Sequence, residues 1–142
     1  MKTITHWAVA IALLSATTAF SPSSVQGSKI KFNGLYRTHA VIKDGDTTAS
    51  YLRFYAGGKM IATTSTDNTE QIRTWFQYDQ MVKANQGTWT LKKKKFNASY
   101  GMPGKDIILN GSVKGKTIKV HIKSNINGYE ADKEYYFVPD KK

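Results

Sequence analysis

Thr117-Ile118-Lys119-Val120-His121-Ile122-Lys123-Ser124-Asn125 carries apolar side chains at 118, 120 and 122, and polar ones between them. Successive side chains of a strand point to opposite faces, so this pattern means one face buried and one wet. His121 falls on the wet side with Lys119 and Lys123, which predicts a solvent-facing strand residue rather than a ligand or base. Working outward, turn signals recur at Asp44-Gly45, Gly57-Gly58, Lys93-Lys94, Gly115-Lys116 and Asn127-Gly128. Between them lie runs rich in Val, Ile, Thr, Tyr and Phe, which fit a pleated, half-buried surface. Strands are expected at 34–42, 48–56, 59–66, 87–92, 95–100, 106–113, 117–125 and 133–138. Short strands joined by tight turns predict an all-β chain, an antiparallel meander of about eight strands that closes or nearly closes into a barrel.

One segment departs from period two. Asp67-Asn68-Thr69-Glu70 reads as a capping box, and Ile72, Trp75, Phe76 and Val82 follow near helical spacing. A helix is expected over 68–82, between the third and fourth strands. Its apolar stripe should plug a barrel end or pack against the outside. Lys92 to Lys95 form a run of four lysines, which a straight strand would send alternately inward and outward. A hairpin turn at Lys93-Lys94 lets all four reach water. The same exposed tip would serve as a basic knob for phosphate or headgroup contact.

The chain opens with Met1-Lys2 and an apolar stretch from Ala8 to Phe20, too short to span a bilayer and suited to a secretory signal. Cleavage is expected between Ala19 and Gly27. This divides the chain into a signal and spacer, 1–27, and one domain, 28–142, exported to the periplasm or secreted. No transmembrane span is expected. Without cysteine there is no disulfide framework, so the core alone must hold the fold. The formal charge of +11 falls to +10 once Lys2 leaves. That surplus favours anionic partners: lipid, an envelope polymer or an acidic protein. Aromatics interleave with cations at Arg53-Phe54-Tyr55 and Lys133 to Tyr136, as in sheet-based nucleic-acid binders. Export ranks nucleic acid below the envelope polyanions.

Catalytic signatures are missing. His39 and His121 stand outside any metal-ligand spacing, and no G-x-S-x-G, phosphate loop or G-x-G-x-x-G occurs. The chain reads as no enzyme, needing no metal or cofactor. The sharpest binding question concerns Thr48 to Ala56. In one alternative Leu52 and Phe54 face the interior, and Tyr51, Arg53 and Tyr55 form an exterior aromatic–cation ladder. In the other, Arg53 sits inside between two phenols, where a ligand carboxylate would find a charge-assisted partner. A buried unpaired guanidinium is costly, which favours the exterior alternative, and a one-residue slip in register would reverse it.

Gly34-Leu35-Tyr36, followed by a meander, resembles the opening of lipocalin-like, or calycin, barrels. Tyr51 to Tyr55 before Gly57-Gly58, Gly87 to Leu91, Ile126 to Tyr129 and Tyr135 to Pro139 are similar to stretches of small exported bacterial lipocalin-like domains. The resemblance implies an eight-stranded barrel and no particular activity. The chain departs from classical lipocalins in having no helix after the last strand and no cysteines. The expectation is therefore non-catalytic binding of a small apolar or amphipathic molecule in the barrel. Arg53, Tyr51 and Tyr55, with Arg37 and Tyr136, would fix its polar end. The second reading is an interaction protein whose basic surface, Lys92, Lys93, Lys94 and Lys95, meets an anionic envelope component or an acidic protein. An apolar cavity reached from one end would mark the ligand binder.

Overall fold

The computed structural model describes residues 29–141. The proposed signal, its cleavage sites and the 1–27 boundary lie outside them. Nine strands form, β1 (Gly34–Arg37), β2 (Val41–Lys43), β3 (Asp46–Tyr55), β4 (Lys59–Ser65), β5 (Gln86–Lys92), β6 (Lys95–Met102), β7 (Lys105–Lys114), β8 (Thr117–Ser124) and β9 (Glu130–Pro139). One helix, α1 (Thr69–Trp75), joins β4 to β5. Every neighbouring pair is antiparallel, and β1 bonds both β9 and β3. The sheet is thus a closed eight-stranded meander barrel, with β2 a short hairpin partner of β3 outside the ring. No helix among the described residues is long and apolar enough to cross a membrane.

Strand periodicity sorts the side chains as the 117–125 stretch predicts. Ile118, Val120 and Ile122 are buried, while Lys119, His121 and Lys123 are exposed. Leu52 and Phe54 point inward with Tyr36, Met60, Phe96, Leu109 and Val113. Phe54 is the hub: its ring meets Tyr36 at 5.4 Å, Trp89 at 5.6 Å and Phe96 at 5.6 Å, each edge-on. Edge-to-face geometry sets a ring's positive rim against a neighbour's negative face, adding to the gain from burial. Gly111 stands opposite Phe96. A Cβ there would run into the Lys119 carbonyl, so only glycine lets the two backbones approach so closely.

The two barrel ends differ. Ile30 enters the core and Phe32 lies on Trp89, so the segment before β1 closes one end. That end also carries the β3–β4, β5–β6 and β7–β8 turns. The opposite end carries the β2–β3 turn, the long β4–β5 connection and the β8–β9 loop, and it stays open.

Two expectations are refined. The predicted strand 34–42 is two strands. Tyr36 faces Leu52, whereas Val41 faces Thr48, so one extra residue sits between β1 and β2. The Thr38 hydroxyl accepts the Ser50 N–H at 3.0 Å, a side chain standing in for a ladder partner at this bulge. The helix ends at Trp75 rather than 82. Its cap is Asn68 with Gln71, one residue along from the expected box, and Ile72 and Phe76 are its buried residues. Beyond it, Gln86 donates to the Tyr78 and Met81 carbonyls and Asn85 to that of Ala62. Those bonds hold irregular turns where a helix would otherwise continue, and Val82 is left exposed. The helix packs on the outside of the barrel, against Leu35, Tyr51 and Ile61.

Candidate functional site at the open barrel mouth

β9 pairs with β1 only from Tyr136 to Pro139. Nearer the open end β2 swings away with the bulge, so Glu130 to Tyr135 have β8 on one side and no strand on the other. The two edges flank a cavity of about 790 Å³. Ser50, Thr64, Ala131 and Lys133 line it inside, and Val41, Ile42 and Tyr129 form its lip. These three lip residues are exposed although apolar.

Lys133 is the chemically telling residue. Strand parity places it inside, beside Val120 and in line with Ala131 and Tyr135. Its Nζ donates to Ser50 Oγ at 3.4 Å, and that hydroxyl lies 3.0 Å from Thr64 Oγ1. Among the described residues no carboxylate comes within ion-pair distance of it, and burial alone lowers its pKa. Deeper in the barrel, burial pushes the Tyr100 phenol up to about 12 and raises Tyr135 further. Both stay neutral donors near neutral pH. The mouth therefore offers an inward cation, hydroxyls and an apolar lip, with Asp132 and Glu134 on its outer rim and an interior below it already filled by aromatic rings.

The five residues expected to bind a ligand do come together, but on the outer wall beneath α1. Arg53 is 6% exposed and donates both Nη atoms to the Asp140 carboxylate, at 3.1 and 3.2 Å. Arg37 donates to Thr69 Oγ1 at 2.7 Å and to the Thr38 carbonyl, and lies over the rings of Tyr51 and Tyr136. Tyr51 donates to the Asp67 carbonyl, and the Tyr55 hydroxyl accepts the Tyr78 N–H. Tyr136 stacks on His39 at 4.9 Å. The exterior alternative is the one the register realises, and Asp140 is the acidic partner that a buried Arg53 requires. These contacts fasten the helix and the final residues to the barrel wall. Lys133 is absent from the expected ligand set because Lys133-Glu134 reads in sequence as a solvated pair of charges. The signal was its place one step from Tyr135 on the apolar parity of the last strand.

The four lysines behave as the turn argument requires. Lys93 adopts φ 56° at the tip, Phe96 turns inward, and Lys92 to Lys95 are all exposed. His121 faces solvent between two carboxylates, Asp132 at 2.7 Å and Glu130 at 3.1 Å. The hydrogen bonds to Glu130 and Asp132 raise its pKa above the ordinary 6.5. A folded pKa above the unfolded one stabilises fully below the unfolded value and is lost as pH rises through the folded value. Melting curves should show wild type exceeding His121→Gln in acid, with the gap closing above about pH 6.5. A gap that widens with alkali would contradict the pairing. Among the described residues no cluster of three His, Asp or Glu is placed to hold a metal ion. Comparison with protein-family models, curated proteins and solved structures finds no match to this chain.

Proposed function

We propose that the chain is an exported, non-catalytic, lipocalin-like barrel that holds a small amphipathic anion in its open mouth. The observation that carries this reading is Lys133, an inward, half-buried cation with no carboxylate partner among the described residues, beside a cavity of about 790 Å³. An unpaired ammonium gains nothing for the fold by leaving water, so its placement points to an incoming negative charge. A carboxylate or phosphate entering the mouth would meet Lys133 and the Ser50 and Thr64 hydroxyls. Its apolar body would lie along Val41, Ile42 and Tyr129. The packed aromatic layer limits the ligand to the upper half of the barrel, so the polar end leads. This differs from the expected cavity, also reached from one end but lined by apolar side chains. The Gly34-Leu35-Tyr36 opening, at the closed end of an eight-stranded meander, supports the lipocalin-like part of the reading, and Ala8 to Phe20 supports export.

Dodecanoic acid and its methyl ester make a direct test by calorimetry. The acid should bind at least tenfold more tightly, since a hydrogen bond to a charged group is worth roughly 1.5–3 kcal/mol. Lys133→Met should erase that preference and at the same time raise the melting temperature, because it removes an unpaired buried charge. Equal binding of acid and ester by wild type, or binding of neither, would refute the mouth as an anion site.

A further inference from the structure

Lysines are concentrated at one end of the barrel. Between Asp79 and Glu130 the chain carries ten lysines and one carboxylate, Asp106. This stretch forms β5 to β8, and its β5–β6 and β7–β8 turns both lie at the closed end, with the β6–β7 turn at the other. The tips are side by side, since the Lys94 carbonyl accepts the Val113 N–H at 3.0 Å. Lys92 to Lys95, Lys114 and Lys116 are exposed there, and none is in an ion pair among the described residues. Asp44, Asp46, Asp106, Glu130 and Asp132 lie toward the opposite, open end, where Lys43, Lys105 and Lys123 offset part of their charge. Asp140, near the lysines, is taken up by Arg53.

The closed end also carries an exposed aromatic. Phe32 is 47% exposed, its ring 5.9 Å from Trp89, on a segment whose Lys29 and Lys31 face solvent. We infer that the closed end docks on an anionic lipid bilayer, the lysines meeting headgroup phosphates and Phe32 reaching the acyl boundary. A soluble polyanion would use the lysines and not the exposed part of the Phe32 ring, which is why a bilayer fits better. Docked this way, the mouth faces away from the surface and stays open to solution.

Vesicle flotation with the full chain tests this, using phosphatidylcholine alone and with roughly a third phosphatidylglycerol. The N-terminal segment is the same in every variant, so differences between variants isolate the contribution of the closed end. Binding should favour the anionic vesicles and fall steeply as salt shortens the reach of the charges. A variant with Lys93→Gln, Lys94→Gln, Lys114→Gln and Lys116→Gln should lose several hundredfold, at about fivefold per lysine. A matched variant with Lys83→Gln, Lys105→Gln, Lys119→Gln and Lys123→Gln, removing the same charge elsewhere, should lose less than tenfold. Phe32→Ala should weaken vesicle binding severalfold without changing binding to soluble polyphosphate. Equal losses from the two quadruple variants would overturn the proposal. So would an inert Phe32→Ala, or tight binding of polyphosphate with none of anionic vesicles. Unchanged circular dichroism in each variant keeps these outcomes separate from unfolding.

Discussion

Phe54→Ala should cost the barrel about 3–5 kcal/mol, the range for deleting a fully buried aromatic side chain. Phe54 is completely buried and touches three other rings edge-on, drawn from β1, β5 and β6. Closure fixes those strands around it, so the wall has little freedom to collapse into the void. A domain of this size has roughly 5–15 kcal/mol in total, so the variant is left near the edge of folding. A fall in melting temperature on the order of 10–20 °C should accompany it. Phe32→Ala, exposed at the same end, should change stability by less than about 0.5 kcal/mol. Chemical denaturation of the two variants side by side is the measurement. A Phe54→Ala loss below about 1 kcal/mol would mean that the rings do not form the closed layer described.

The Arg53–Asp140 pair should show a pronounced asymmetry on truncation. Asp140→Ala leaves the guanidinium buried against Tyr51 and Tyr55 with neither Nη bond made, and its Nε already has no partner. Stranding a buried charge costs about 3–5 kcal/mol where water is fully excluded. The Asp140 side chain is 39% exposed, so water can enter its place and the expected loss is nearer 1–3 kcal/mol. Arg53→Met removes the charge and keeps the volume, while the freed Asp140 carboxylate takes up water. That variant should be close to neutral, within about 1 kcal/mol. The double variant should then be no worse than Arg53→Met alone. Equal damage from the two single variants would show that the pair does not carry the burial cost assigned to it.

The sequence made the barrel legible because its information is local. Ile118, Val120 and Ile122 set one face, and Asp44-Gly45, Lys93-Lys94 and Gly115-Lys116 supply the corners, each within a few residues. The break between β1 and β2 was not legible, since it depends on a hydrogen bond between Thr38 and Ser50 across the sheet. Helix length failed for a related reason. Tyr78 turns to meet Tyr55, a partner far back in the chain. The outer position of Arg53 could be argued from the cost of burying it, but its partner could not, because Asp140 lies 87 residues away. The inward parity of Lys133 was readable from Tyr135, but the gap beside it was not, since only the assembled topology shows β9 leaving β1 partway along its length.

Barrel closure also governs the order in which the chain can mature. The ring is sealed by the last strand meeting the first, and the Asp140 N–H donates to the Asn33 carbonyl at 2.8 Å. A nascent chain that stops short of Glu130 lacks Tyr135 and Phe137, and leaves Tyr36 and Ile118 facing water with two raw edges. Pairings of such long sequence separation form late, since the intervening loop must be closed before they reward it. Completion therefore waits for delivery of the final ten-residue strand. Under the proposed export, that delay would keep the polypeptide pliable until its far end has cleared the translocation channel.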